Sequence, residues 1–587
     1  MRTIVFVNTV SEVCDNAKFI VLQNNEYVSD NDNLIRLESI YKKYGHSFVD
    51  EFSCLLDILN KNNAKLFWWA YTSTAKNLLS SPLGERYFQI RAICEFVKYE
   101  NVDVLMVVGA TPGQIDAIIL SLSKDDIQFA GKSLEEKRKK KLFLSVLTII
   151  RQTLQFSRVF FVFLFHRQEK IIENIDVCLF TYIDSKKCEG IDNYFGKLPE
   201  LINNIKNTSI VYLAYIYSPY KQRKNQSSII NSQFPYVALF GLLRFSDYIW
   251  SLYHASIAWI KNTLFFNHNI KSCEAKYLPL FQEIFLHDLS VGGYLHNLFV
   301  YKAIKRFLVL YKPEKIIYPY ENKSLEKMIL LGIENSQFKP ESIGFQHSAI
   351  TPRHLTLLFR PNEAKYTPLP KKIITVGKIT KKYLETHGNY PPKIFKLGCA
   401  LRQVWNEESI RQNNAEGPIK ILLALSSSNN ELIKSILFIK KVKELMPDIE
   451  LGVRPHPSFP ISVLPEELSC WVNENATDLS NTPVQSNLDW CNITVYVSTT
   501  VALESLMNGK PVININIGDI ISSDSIIGNT SFHWRANNEI EMLKIIQSII
   551  SMQEIDYYNS SLNAIDYARN YLSPINNENL IAFTSAN

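Results

Sequence analysis

Two short stretches carry the residue types needed to hold and neutralise a phosphate. VRPHPSFP, Val453 to Pro460, places an arginine and a histidine among prolines, and STT, Ser498 to Thr500, places three hydroxyl groups in a row. Pro455 and Pro457 fix their own φ near about −65° and push Arg454 and His456 out of the helical region, so the imidazole sits on a stiffened turn. The apolar positions Ile449, Leu451 and Val453 lead into that turn, which makes it the carboxyl end of a buried strand. A second apolar run, Asn492 to Val497, leads into STT, and Val501, Leu503, Leu506 and Met507 then repeat with helical spacing. A strand-to-helix junction offers unpaired backbone N–H groups and the positive end of the helix dipole, which suits an anion. For each hydroxyl taken alone, capping of the helix is the plainer use.

The elements that must position these residues form a second α/β sheet, beginning at the run Ile419 to Leu425 and its polar end SSSNN. The helical pattern Leu432 to Leu445, the strand Ile449 to Val453, the strand Ile493 to Val497 and the closing stretch ALESLMNGKPVININ complete it. Helical patterns then fill Glu539 to Met552 and Ile555 to Leu572. Ahead of it, from Phe299 onward, an amphipathic helix feeds the strand Lys315 to Tyr318, with Glu321 just past its end. The strand of ESIGFQHS ends at Gln346 and His347, KIITVG ends at Gly377, and KIFKLGCALR reads as a strand ending at Arg402. In a parallel sheet, Glu321 and His347 then share one edge, the edge where open α/β sheets bind ligands.

Earlier in the chain, strands are expected at Thr3 to Val7, Ala64 to Trp69, Val102 to Val108, Val177 to Tyr182 and Ile210 to Tyr215, with a helix over Tyr87 to Tyr99. Between Lys132 and Lys170 a basic lead precedes a hydrophobic stretch interrupted by Arg151 and Arg158. Two arginines at such depth would each cost about 2.5–3.5 kcal/mol in hydrocarbon, so a surface helix on anionic lipid suits this stretch better than a span. A pair of core helices with a solvated basic side suits it equally. The aromatic stretch Tyr236 to Phe266 either packs beside it or extends the membrane-facing surface. The expected division is residues 1–400, with 131–270 an elaboration, and residues 401–587 as the donor side.

With 587 residues the chain exceeds one hydrophobic core. Its net charge of +6 is small for that length, and no basic-aromatic module for nucleic acid is present. The nine cysteines include no C-x-x-C pair, so neither a disulfide framework nor a zinc site is indicated and a cytoplasmic setting is expected. The D-x-D of Asp30 to Asp32 lies in a polar turn far from the other motifs. No metal and no cofactor are required.

Arg454-Pro455-His456-Pro457, followed some forty residues later by Ser498-Thr499-Thr500, resembles the paired HP and S-S/T motifs of bacterial sialyltransferases and capsule Kdo transferases. It is similar also to the RPHP element of CDP-glycerol polymerases of teichoic acid synthesis. The resemblance spans roughly Lys315 to Ile513 and implies the GT-B architecture, two Rossmann-like domains with a facing cleft, here with helical insertions in the first. It implies a cytidine nucleotide-sugar donor, most simply a CMP-activated nonulosonic acid, and a glycan or lipid-linked glycan of the bacterial surface as acceptor. Arg454 and His456 would neutralise the donor phosphate beside Pro457. Ser498, Thr499 and Thr500 would add donors, Ser426, Ser427 and Ser428 would supply a phosphate loop opposite, and Glu504 resembles the carboxylate that binds nucleotide ribose. The acidic pair before glycine that sialyltransferases use as base has no counterpart here. Glu321 is the first candidate for that base, and His347, by analogy to the teichoic acid polymerases, the second. A CDP-polyol phosphotransferase, a UDP-sugar transferase and a non-catalytic assembly factor of the same fold are the competing expectations.

Overall fold

The structure, a computed structural model, describes residues 2–9, 11, 17–22, 33–100, 102–123, 126–131, 150, 154, 157, 174–183, 192–205, 207–216, 235–264, 273–403, 417–426, 428–457, 459–528 and 530–584. Three sheets run through them. The first has four strands, β1 (Arg2–Val7), β2 (Lys18–Val21), β3 (Val104–Val108) and β4 (Ile127–Gly131), in the order β2-β3-β1-β4 with every neighbouring pair parallel.

The second sheet has seven strands: β5 (Val177–Ile183), β6 (Ile210–Ile216), β7 (Tyr236–Ala238), β8 (Lys315–Pro319), β9 (Glu341–Gln346), β10 (Lys372–Thr375) and β11 (Phe395–Leu397). Their order is β11-β10-β9-β8-β5-β6-β7. The third has β12 (Lys420–Ala424), β13 (Glu450–Arg454), β14 (Thr477–Asp478), β15 (Ile493–Tyr496), β16 (Val512–Ile515) and β17 (His533–Ala536), ordered β14-β13-β12-β15-β16-β17 and parallel throughout.

Numbered within its own sheet, the third follows the order 3-2-1-4-5-6, and the second follows 3-2-1-4-5-6-7. Both are therefore Rossmann-like, and the protein is of the α/β class expected from its sequence. The physical reason is visible in the strands themselves: β15 is buried at every position and β5 at all but one. Strands covered on both sides by helices read as near-continuous apolar runs. The helix Asn429–Leu445 shows the complementary pattern, burying Leu432, Ile436, Ile439 and Val442 along one stripe and stopping just before Pro447.

Compact packing divides the chain into two units. One comprises Met1–Gln346, His354–Ile374 and Leu384–Phe395; the other comprises His347–Arg353, Thr375–Tyr383 and Lys396–Asn587. In the second unit the helix Glu554–Tyr571 lies against the segments that follow β9 and β10. Tyr571 is fully buried and its Oη accepts the Ile350 N–H at 2.9 Å.

Several expectations need correction. Two sheets in series were expected, but residues 1–131 form a sheet of their own. The strands β5 and β6, expected within an elaboration of residues 131–270 in or beside the first sheet, are central members of the seven-stranded sheet. Ala64 to Trp69 is not a strand: Ala64 caps the helix Leu37–Asn63, and Leu66–Trp69 is a short helix. The aromatic run LFWW has strand-like composition, yet only Trp69 of it is buried. β10 ends at Thr375 rather than at Gly377, and β11 stops at Leu397 short of Gly398. A Cβ on Gly377 would stand 2.0 Å from the Tyr571 carbonyl oxygen, so the chain there is pressed against the end of the helix Glu554–Tyr571 rather than paired as a strand. The stretch Lys132 to Lys170 lies outside the described residues except at 150, 154 and 157, and Asp30 to Asp32 lies outside them entirely.

Candidate functional site

In the third sheet the strand order reverses between β12 and β15, and the loops leaving their carboxyl ends diverge to opposite sides. A crevice at such a point is where doubly wound sheets take ligands. After β12 comes Ser426, only 3% exposed, whose Oγ has no hydrogen-bond partner among the described residues. Ser427 lies outside them. Ser428 is the N-cap of the helix Asn429–Leu445, and its side chain makes no capping hydrogen bond. The seventeen residues of that helix sum to a full dipole at this end.

After β15 come Ser498, Thr499 and Thr500, all partly exposed. Ser498 Oγ donates to Glu431 Oε2 at 2.7 Å. Glu431 is buried in the first turn of the helix Asn429–Leu445, and its other oxygen accepts Arg353 Nη1 at 2.6 Å. Arg353 also reaches Ser523 Oγ at 3.1 Å and Asp519 Oδ2 at 3.6 Å. Thr499 Oγ1 accepts the Val501 N–H at 3.3 Å, and Thr500 is the N-cap of Val501–Met507 without a side-chain cap. That helix has seven residues, so the anion-favouring dipole expected after STT is weaker than the one after Ser428.

The loop after β13 adds the third wall. Arg454 Nη1 donates to Thr482 O at 2.7 Å, Asn487 Oδ1 at 2.6 Å and Leu479 O at 3.3 Å, so one face of the guanidinium is committed to the loop 479–487. His456 is half-buried, and burial lowers its pKa below the usual imidazole range. Its carbonyl accepts the Phe459 N–H at 2.8 Å, which closes the turn around an exposed Pro457. Glu504 is half-buried. Burial raises its carboxyl pKa, while the positive charges of Arg402 and Arg454 oppose that shift. The structure therefore gathers Ser426, Ser428, Ser498–Thr500, Arg454 and His456 at the carboxyl ends of three adjacent strands, with Glu504 close enough to feel Arg454.

Sequence reasoning missed Glu431 and Arg353, and it missed a buried polar group behind them. Tyr496 Oη donates to Asp524 Oδ1 at 2.5 Å, and Asp524 Oδ2 lies 2.9 Å from His533 Nε2. Burial would push the Asp524 carboxyl up, but the hydrogen bonds from His533 and Tyr496 outweigh it and hold the group below its usual value. No local signal marks these residues, because only strand pairing brings β15 and β17 onto one sheet.

Glu321 and His347 follow the carboxyl ends of β8 and β9, which pair in parallel, so both stand at one edge of the seven-stranded sheet as expected, although the unit boundary falls between Gln346 and His347. Glu321 follows the end of β8, is partly exposed, and is ion-paired with Lys323. The deeply buried carboxylate nearby is Glu326, which accepts the Glu321 N–H at 3.1 and 3.0 Å and the Asn322 N–H at 2.6 Å. Burial pushes its pKa up to about 8 and pulls that of the adjoining Lys327 down to about 8. Lys327 Nζ donates to Asn322 O at 3.1 Å, and Asn322 Nδ2 donates to Thr356 O at 2.6 Å. Lys76 and Glu363 form a buried pair at 2.6 Å in the same unit. Glu326 and Lys327 thus fix the backbone from which Glu321 projects. His347 directly follows β9, half-buried, with its Nδ1 buried.

Among the described residues no group of three or more His, Cys, Asp and Glu side chains is placed to hold a metal ion. Nor is any described helix long and apolar enough to cross a membrane. No protein-family model matches the sequence, and no curated protein matches it. Solved structures similar in fold include the glycotransferase of kitacinnamycin, with a TM-score of 0.39 and 12% identity over 68% of this chain and 96% of that one. The glycosyltransferase SnogD from Streptomyces nogalater gives 0.39 and 10% over 70% and 100%. UDP-GlcNAc 2-epimerase from Neisseria meningitidis, bound to UDP-GlcNAc, gives 0.38 and 12% over 68% and 97%.

Proposed function

We propose that the protein is a glycosyltransferase that takes a sugar from a nucleotide-activated donor, and that the donor is a CMP-linked nonulosonic acid destined for a bacterial surface glycan. The observation that supports this most is the crevice at the strand-order reversal of the third sheet. There a buried Ser426 hydroxyl with no partner among the described residues, the amino end of a seventeen-residue helix and the hydroxyls of Ser498–Thr500 come together from the two diverging loops. The choice of cytidine rests on the RPHP and STT motifs.

In this proposal the acceptor hydroxyl attacks the anomeric carbon, the bond from that carbon to the phosphate oxygen breaks, and CMP leaves with the electron pair. His456 stabilises the charge that grows on the departing phosphate, a role in which a positioned donor acts more strongly on the transition state than on the bound substrate. The acceptor proton passes to a base, for which Glu321 and His347 are the two candidates. Arg454, tied by one nitrogen to the loop 479–487, contributes charge and holds the RPHP turn in place.

Thermal unfolding with CMP, CDP and UDP at equal concentration tests the reading. A ligand at a hundredfold excess over its Kd stabilises the folded state by about 2.7 kcal/mol, easily seen as a raised Tm. CMP and CDP are expected to raise it. A rise with UDP alone removes the cytidine assignment, and no rise with any of the three removes the enzyme assignment.

A further inference from the structure

The helix Phe245–Leu264 buries Tyr248, Ser251, Ala255, Ala258 and Asn262 on one side. On the other, Phe245, Ile249, Tyr253 and Ile260 are 63%, 50%, 62% and 42% exposed. Positions spaced by four and seven lie above one another on a helix, so these four form one apolar stripe facing water, interrupted by the exposed Ser256 between Tyr253 and Ile260. Single exposed apolar residues are ordinary, whereas a contiguous patch marks an interaction surface. The patch continues from Tyr253 through the rings of His254 and Phe67, with centroids 5.2 and 4.3 Å apart along that chain.

Charge identifies the occupant. The only acid of the helix Phe245–Leu264 is Asp247, which is buried and bonded to Arg306 at 2.9 Å. Arg244, Lys261 and Lys65 are exposed, and Lys302 lies over the Trp250 ring at 4.0 Å. A cavity of about 430 Å³ beside the stripe is lined by Lys65, Phe67, Trp68, His254 and Lys261, among others. A second copy of the chain meeting this patch across a two-fold axis would bring these cations against each other. An anionic bilayer satisfies both features, because aromatic rings sit at headgroup level, an in-plane helix faces the acyl boundary with its apolar stripe, and basic side chains meet the lipid phosphates.

We infer that this face of the first unit docks on an anionic phospholipid surface, with the stripe in the interface and a lipid phosphate at the lysine-lined mouth of the cavity. The helix Phe245–Leu264 carries the contact. Flotation of the full chain on phosphatidylcholine vesicles with and without phosphatidylglycerol is the test. The protein is expected to float only with the anionic lipid. Combining Phe245→Ser, Ile249→Ser and Tyr253→Ser is expected to lower the partition coefficient at least tenfold while leaving the melting curve intact, because all three side chains are exposed. Lys65→Glu with Lys261→Glu is expected to lower it by a similar factor. Absence of flotation with either vesicle, equal flotation with both, or unchanged binding by the serine variant each overturns the inference. So does a lipid-free dimer that the serine variant abolishes.

Discussion

Ser498 Oγ bonds to Glu431 Oε2 at 2.7 Å and thereby ties together the loops that leave the two strands flanking the order reversal. Without that bond the crevice has walls that can drift apart. Arg353, on the other oxygen of Glu431, supplies the compensating charge for a carboxylate buried at 3% exposure.

Removing the two partners of Glu431 should have unequal effects. Ser498→Ala loses a hydrogen bond to a charged group and should cost about 1.5 kcal/mol. Arg353→Ala leaves a buried carboxylate without its cation and should cost more, about 3 kcal/mol, toward the low end for such pairs because Arg353 is itself partly exposed. Urea unfolding midpoints measure both, and the opposite ranking would contradict the pairing described.

His456→Ala should reduce turnover at least about a hundredfold, the low end for loss of one positioned electrostatic group. Unchanged activity would remove His456 from the mechanism.

The pH dependence of His456 has a definite sign. Burial lowers its pKa in the folded protein below the unfolded value of 6.5, so the unfolded chain binds more protons in that window and stability falls as pH drops through it. A bound phosphate opposes the shift, and so nucleotide binding should take up protons. CMP affinity, measured by calorimetry, should therefore rise as pH falls from 8 toward 6.5 in the native protein. In His456→Gln that part of the slope should vanish.

Glu326 should make stability fall with rising pH over an unusual range. Its folded pKa, about 8, lies above the unfolded 4.5, so the folded state holds the extra proton between those values and loses that advantage as pH rises. Lys327, pulled down to about 8 from 10.5, acts in the opposite sense above pH 8. A stability minimum near pH 8 is expected, and Glu326→Gln should flatten the limb from pH 5 to 8 in urea titrations. A parallel limb in the variant would assign it to other groups.

Gly377→Ala should destabilise the second unit by about 1–3 kcal/mol, the usual cost of forcing extra volume into a packed site. The added methyl would meet the backbone carbonyls of Tyr571 and Asn570 at 2.0 and 2.7 Å, and a backbone cannot rotate away as a side chain can. A melting temperature equal to that of the native protein would show that the helix Glu554–Tyr571 is not held where it is described.

The sequence made the third sheet legible because its strands are short apolar runs punctuated by turns, and its RPHP and STT stretches fall at strand ends as the prolines and serines require. It concealed the helix Leu37–Asn63, although Phe48, Phe52, Leu55, Leu56 and Leu59 recur at helical spacing, because polar residues dilute that stripe. The aromatic run after it then passed for a strand. Long-range partners were invisible in principle. Glu431 and Ser498 stand 67 residues apart, and Lys76 and Glu363 stand 287 apart, so only the topology can bring them together. Glu326 was overlooked for a different reason: Glu321 stands at the strand end, whereas burial, which distinguishes Glu326, has no signature in residue type.

The contact between Ile350 and Tyr571 spans 221 residues. At a synthesis rate of about 5–20 residues per second, the segment 347–353 must wait about 10–45 s on the ribosome before its partner helix emerges. During that time Ile350, fully buried in the finished protein, has nothing to lie against, and Arg353 waits for Glu431. The first unit's sheets can pair while translation proceeds, but the second unit assembles late and around a piece of chain made much earlier. Its vulnerability during synthesis is thus one of timing.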